Sequence, residues 1–324
     1  MTELDLALLN NYQRAFPLYA KPYAELARQL CISESEVLQR LLQLKQAGSI
    51  SRIGPVFRPN SIGVSTLAAL AVPPEQLEQV AALVNTYPQV NHNYQREHRY
   101  NLWFVATADE PARLANTLEQ IRSETGCAML DLPLVKDYYI DLGFDLGGGK
   151  VAQRQPQAHV SIRPNAAQRS LIGILQGGLP MVSEPYREIA ERLGTSEATI
   201  IEQISDWQNA GIIKRFGVVV RHHELGYTAN AMVVWDIPDH QVEAIGQLLA
   251  KDQAVSLCYQ RPRRLPEWHY NLFCMIHGKD RAAVEAHIEQ LAQQHGLQQV
   301  PRQSLFSLKR FKQRGAHYVL DKAA

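Results

Sequence analysis

Residues 92–103 read HNYQREHRYNLW and residues 259–272 read YQRPRRLPEWHYNL, so Tyr-x-Arg followed by Tyr-Asn-Leu occurs twice in one chain. The first stretch has the look of a strand, with His92, Tyr94 and Arg96 on one face and Asn91, Asn93 and Gln95 on the other. A half-buried structural strand alternates apolar with polar residues, so a strand polar on both faces is expected to line something polar. We expect that to be a site for an anionic ligand.

The echo extends well beyond these motifs. With an offset of 163, residues 13–63 lie over residues 176–226 without a gap, and 17 of the 51 positions are identical. They include Pro22-Tyr23 with Pro185-Tyr186, Ser33-Glu34 with Ser196-Glu197, Arg52 with Arg215, Gly54 with Gly217 and Arg58 with Arg221. Tyr94 and Arg96 then fall over Tyr259 and Arg261, and Tyr100-Asn101-Leu102 over Tyr270-Asn271-Leu272, with five extra residues between them in the second copy. Two copies of one sequence imply two copies of one fold. Gly147-Gly148-Gly149 opens a Gln-, Pro- and Ala-rich stretch that ends near Pro164 and reads as the linker between them.

Each half divides again. An apolar helix from Asp5, a second helix started by Pro22, a turn at Cys31–Ser33 and a third helix over Ser35–Ala47 are followed by Ser49–Arg58, read as a two-stranded hairpin around Gly54-Pro55. That is a winged helix-turn-helix. Strand (Ser65–Val72), helix (Pro74–Thr86), strands (Val90–Arg96 and Tyr100–Ala106), helix (Glu110–Thr125) and strand (Met129–Ile140) then give a ferredoxin-like βαββαβ sandwich, which recurs from Asn230 to Phe311. The expected class is therefore α+β, a tandem duplication with a winged helix at 1–62, a ferredoxin-like domain at 63–146, a linker at 147–165, and second copies at 166–225 and 226–324.

Composition constrains partners. With 33 Lys and Arg against 32 Asp and Glu in 324 residues, the whole molecule has no field that attracts DNA or a membrane, so any attraction for anions is local. The opening MTELDLALLNNY lacks a signal peptide's basic start, and no apolar run approaches the length of a membrane span; a cytoplasmic protein is expected. Cys31, Cys127, Cys258 and Cys274 form no CxxC pair and read as reduced core thiols.

A small winged helix followed by a ferredoxin-like module resembles the Lrp/AsnC architecture, which implies an amino-acid-responsive transcription regulator. The helices argue against DNA. The second candidate recognition helix, Ser196–Ala210, carries Glu197, Glu202 and Asp206 and no Lys or Arg, and the first opens with Glu34 and Glu36 and offers only Arg40 and Lys45. Positive charge gathers elsewhere. Arg52 and Arg58 lie on the first wing, and Arg215, Arg221 and His222 lie on or just after the second. The strand regions hold Arg96, His98 and Arg99 in one half and Arg261, Arg263, Arg264 and His269 in the other. Guanidinium forks suit carboxylates, and several around one cleft imply a polycarboxylate.

At these motifs the chain resembles a narrower family, the sirohaem decarboxylases of haem d1 and alternative haem biosynthesis. HNYQREHRYNLWF looks like one subunit type and CYQRPRRLPEWHYNLFCMIHG like the other, so the chain reads as a fusion of both. The resemblance implies removal of carboxyl groups from two acetate side chains of sirohaem. It also implies no separate cofactor, since the iron arrives with the substrate. His92 and His98 are candidate proton donors or substrate-iron contacts, Arg96 and Arg261 carboxylate anchors, and Tyr94 with Tyr259 orienting hydroxyls. Arg52, Arg58, Arg99, Tyr100, Asn101, Arg215, Arg221, His222, Arg263, Arg264 and His269 complete the substrate-binding set, although proline is expected in related subunits where His269 stands. The histidines do not recur: Leu257 occupies the place of His92 and Trp268 falls near that of His98, which points to the first half as the working site. The alternatives are the regulator and a module that carries a tetrapyrrole unchanged. Halves paired within the chain are expected, with a further homodimer open.

Overall fold

The computed structural model describes residues 2–140, 160–220 and 229–319. In the first half α1 (Glu3–Asn11), α2 (Pro22–Leu30) and α3 (Glu34–Gln46) form the helix-turn-helix. Its ends follow from local chemistry: Thr2 and Asp5 make a reciprocal capping box on α1, Pro22 occupies the first turn of α2, and the Ser33 hydroxyl accepts from the Glu36 amide to start α3. Cys31 caps α2 in the left-handed region with φ 55° and is exposed, so only Cys127, Cys258 and Cys274 are core thiols.

The wing differs from the expected hairpin. β1 (Ile50–Phe57) runs through Gly54-Pro55 as one strand, and its partner is the equivalent strand of the other copy, β7 (Ile213–Val220), antiparallel with Gly54 opposite Gly217. The edge amides of each wing are thereby satisfied by its duplicate. The second helix set is α6 (Ala166–Leu175), α7 (Pro185–Leu193) and α8 (Glu197–Asn209), and one hydrophobic core joins both sets, from Leu8 and Leu41 to Ile204 and Trp207. Arg40, one of the two basic residues of the first recognition-like helix, is tied to Asp5 and Glu36.

The first sandwich comprises β2 (Val64–Ala71), α4 (Leu77–Thr86), β3 (Val90–Arg96), β4 (Leu102–Ala108), α5 (Pro111–Thr125), β5 (Ala128–Pro133) and β6 (Lys136–Ile140). The second comprises β8 (Ala229–Trp235), α9 (Val242–Leu249), β9 (Val255–Gln260), β10 (Leu272–Gly278), α10 (Arg281–Gln294) and β11 (Arg302–Gln313). All nine strands from β2 to β6 and β8 to β11 form one sheet in the order β5-β2-β4-β3-β11-β8-β10-β9-β6.

The last strand of the first half is not the single strand expected over Met129–Ile140. It is two pieces: β5 pairs with β2 of its own half, and β6 crosses to pair with β9 of the other. In the second half β11 does both without a break, Arg302–Phe306 on β8 and Ser307–Gln313 on β3. Alternation then sorts the side chains. Leu102, Phe104 and Ala106 of β4 face α4 and α5, while Trp103 joins Leu67, Leu132, Met232, Phe273 and Leu305 in a third core shared by both halves. Among the described residues, no helix is long and apolar enough to cross a membrane.

Candidate active site

The polar faces of β3 have different destinations. Asn91 and Asn93 are fully buried under other chain segments. The Asn91 amide donates to Thr107 Oγ1 at 2.7 Å and the Asn93 amide to the Ala81 carbonyl of α4 at 3.2 Å. Asn91 also receives the C-terminal tail, its carbonyl accepting from the Arg314 amide at 2.9 Å and its Oδ1 from the His317 amide at 3.3 Å. The Asn91 and Asn93 amides of this face are engaged within the chain. They pin α4 and the tail to the strand.

The other face carries His92, Tyr94 and Arg96. Arg96, 7% exposed, turns between the two halves and donates to the Leu305 carbonyl of β11 at 2.9 Å, with its guanidinium 5.7 Å from the centre of the Tyr94 ring. Arg261 mirrors it, donating to the Leu132 carbonyl of β5 and lying 4.6 Å from the Tyr259 ring centre. Tyr94, Arg96, Tyr259 and Arg261 thus follow one another along a seam between the halves. His92 stacks on Tyr94 at 6.3 Å, at the end of this seam that faces the wings. There Arg52 of β1 meets it: burial and the Arg52 charge together push the His92 imidazole down to about 4. Arg52 is itself pushed down to about 10 by burial. It donates to the Pro55 carbonyl and lies against Gly315, where an added Cβ would sit 2.4 Å from its Nη1.

Three residues not expected from the sequence complete this place. β11 sets Arg310 opposite Tyr94 and Gln313 opposite His92, with Arg310 donating to Gln313 Oε1 at 3.0 Å, and the tail brings His317 close enough to feel Arg52. Burial lowers His317, and Arg314, Arg52 and Lys312 lower it further. Among the described residues, no carboxylate perturbs Arg52, His92, Tyr94, Arg96 or His317. Cations and imidazoles gathered in one place, in a chain of net charge +1, make a local anion attractor. The signal was the basic run LKRFKQR at 308–314, whose crossing onto the other half no local pattern announces. Lys312 and Arg314 of that run point elsewhere, capping the end of α4 at the Asn85, Tyr87 and Pro88 carbonyls.

The remaining expected residues are not at this place. His98 lies past Arg96 in the β3–β4 loop, six residues and so roughly 20 Å along the chain from His92. Its Nδ1 accepts from the Tyr100 amide at 2.9 Å and its ring packs on Trp268 at 5.4 Å. Arg99 pairs with Glu267 at 3.0 Å, and Tyr100 Oη reaches the same carboxylate at 3.5 Å, so this cluster joins the loops of the two halves. The Asn101 amide is spent on the Val72 backbone in both directions, as that of Asn271 is on Ile237. Arg263 is held by Asp236 and Asp239, Arg264 reaches the Asp131 carbonyl from an exposed position, and His269 is exposed. Arg58 donates to the Gly211 carbonyl and Arg215 to those of Gln13 and Val218, tying the wings together. Arg221 and His222 lie outside the described residues.

A winged-helix pair carrying two ferredoxin-like modules, with basic side chains and imidazoles gathered between them, defines a protein of Lrp/AsnC architecture. Family models agree on both layers: an AsnC-like ligand-binding domain matches residues 61–138 and 224–312, and a siroheme decarboxylase NirDL-like HTH domain matches residues 5–50 and 168–214. The chain is 45% identical over 319 residues to the siroheme decarboxylase NirDL subunit of Paracoccus denitrificans, covering 98% of this chain and 97% of that one. It superposes on a crystal structure of the siroheme decarboxylase NirDL with a TM-score of 0.74 at 28% identity, covering 99% of this chain and 95% of that one. A second NirDL crystal structure, in complex with an iron-uroporphyrin III analogue, gives 0.72 at 28% identity over 98% and 93%. The chain belongs to the sirohaem decarboxylase family.

Proposed function

We propose that this chain decarboxylates two acetate side chains of sirohaem, giving 12,18-didecarboxysirohaem, and that the reaction takes place beside His92. The observation that carries the reading is the gathering of Arg52, His92, Tyr94 and Arg96 in one place, with Arg310 set opposite Tyr94 by β11. The substrate is a flat tetrapyrrole with eight carboxylates, and it brings its own iron. Guanidinium groups from the wing, the seam and the crossing strand hold its rim, and Tyr94 offers it an aromatic face. Each step converts a methylene carboxylate and one proton into a methyl group and carbon dioxide. The macrocycle delocalises the electron pair left on the methylene carbon, so the protein has to hold the acetate in place and deliver the proton. His92, pushed down to about 4, is neutral in the ligand-free protein at neutral pH. A substrate carboxylate set against Arg52 cancels the charge that helps keep the imidazole neutral, so binding and protonation of His92 are coupled. His98 positions the loop through Tyr100 and Trp268 and is not the donor in this reading.

The five segments take matching parts: winged helices at 1–62 and 166–225 as a packing layer that contributes Arg52, ferredoxin-like domains at 63–146 and 226–324 as the ligand module, and 147–165 as linker, in a cytoplasmic enzyme whose halves act as a built-in dimer. Anaerobic incubation of the purified chain with sirohaem, followed by mass analysis, is expected to give product lighter by two carbon dioxides. Pigment that is bound and unchanged would make the protein a carrier, and salt-sensitive DNA binding without pigment would make it a regulator.

A further inference from the structure

Duplication has built the place beside His92 twice, and the crossing strands set side chains of opposite charge at the equivalent position of the two copies. In the first, β11 sets Arg310 opposite Tyr94 and Gln313 opposite His92. In the second, β6 sets Asp137 opposite Tyr259 and Ile140 opposite Leu257. The correspondence is structural as well as sequential. Arg96 and Arg261 donate to Leu305 and Leu132, the equivalent carbonyls of the two crossing strands, and Arg310 and Asp137 each stand five residues beyond them. Asp137 is engaged by the wings, with its Oδ2 3.1 Å from Lys214 Nζ and 3.8 Å from Arg58 Nη1. Burial pushes this carboxyl up, and the two cations outweigh that effect and hold it below the usual carboxylate range.

We infer that the crossing strands decide which copy takes the anionic ligand: Arg310 admits a carboxylate-rich tetrapyrrole beside His92, Asp137 excludes it beside Leu257, and each chain binds one. This rests on the reading of the first site given above and names the residues that restrict binding to it. A carboxylate entering the second copy meets another carboxylate, which already engages Lys214 and Arg58. Leucine at 257 offers no proton and no hydrogen bond. The second half therefore serves the reaction through β11, which it contributes to the first half's site.

Anaerobic titration of the full chain with iron-uroporphyrin III, followed by absorbance, tests this. Wild type is expected to saturate at one pigment per chain. Arg310→Ala is expected to raise the Kd at least tenfold, with partial recovery in Arg310→Lys. Lys309→Ala, on the opposite face and paired with Glu78, is expected to bind as wild type. Saturation at two pigments per chain, or an unchanged Kd in Arg310→Ala, overturns the inference. One pigment bound per chain without loss of carbon dioxide from sirohaem overturns the enzyme reading and leaves the inference standing. A wild type that binds no pigment overturns both.

Discussion

Replacing Arg96 with Met separates two jobs that a buried arginine can do, holding the halves together and holding a ligand. Its guanidinium is out of water and donates to one carbonyl at 2.9 Å; burial lowers its pKa, with only the Tyr259 and Tyr94 hydroxyls opposing. Desolvating such a cation costs several kcal/mol after relaxation. The charge-assisted bond to Leu305 returns about 1.5–3 kcal/mol, and the Tyr94 ring about 0.5–2 kcal/mol. The balance is near zero or unfavourable. Methionine keeps most of the volume and removes the desolvation cost, but strips the Leu305 carbonyl of a donor, which costs about 1–3 kcal/mol if nothing replaces it. Arg96→Met is therefore expected to unfold in urea within about 2 kcal/mol of wild type with an unchanged m value. In the same protein, affinity for iron-uroporphyrin III is expected to fall tenfold or more, the worth of a lost charge-assisted bond. A variant destabilised by more than about 3 kcal/mol that still binds pigment like wild type would make Arg96 an internal tie, and the seam would no longer be part of the site.

Stability should fall as pH drops from 6.5 towards 4, because the unfolded imidazole of His92 takes up a proton that the folded one refuses; the His92 contribution is fully present above 6.5 and its loss reaches roughly 3 kcal/mol near pH 4. His92→Gln is expected to flatten this part of a urea-midpoint profile and to abolish decarboxylation, and superimposable profiles would mean that Arg52 and burial do not act on His92. Asn101→Ala should lose about 1–3 kcal/mol in chemical unfolding, since two hydrogen bonds to the Val72 backbone vanish. Its folded fraction should bind pigment like wild type, and a Kd shift in folded protein would return Asn101 to the ligand site. Gly217→Ala would place a Cβ 2.1 Å from the Tyr12 carbonyl and 2.7 Å from that of Gln13, both backbone atoms. A loss of more than about 2 kcal/mol in thermal or urea unfolding is expected, and a neutral effect would mean that β7 does not press on the end of α1 as described.

Repetition carried most of what the sequence revealed. The 163-residue offset exposed the duplication, and caps such as Ser33 and Pro22 marked helix starts, because those signals are local. The acidic helices also spoke against DNA from composition alone. What stayed hidden was every feature that depends on the partner half. Ser49–Arg58 reads as a hairpin because Gly54-Pro55 is a turn signal, yet β7 supplied a longer partner than any hairpin arm could. Residues 91–101 are unusually polar for a strand, but charge and hydrogen-bonding capacity do not reveal which amides are consumed. Asn91, Asn93 and Asn101 spend theirs on structure, while His92 and Arg96 face the seam. Arg310 escaped notice because its strand begins in one half and ends in the other.

The same crossing explains why winged helices can remain in a protein whose recognition-like helices suit DNA so poorly. β1 and β7 bind each other, and the arginines on and just after them bind inward: Arg215 to the first half's Gln13, Arg58 to the second half's Gly211, and Arg52 beside His92 against Gly315 of the tail. A DNA-reading wing needs its cations outside and its strands free to approach phosphate. Here the wing brings Arg52 to His92. Its loss would remove the charge that tunes His92, and under the proposed function that is why the layer is retained.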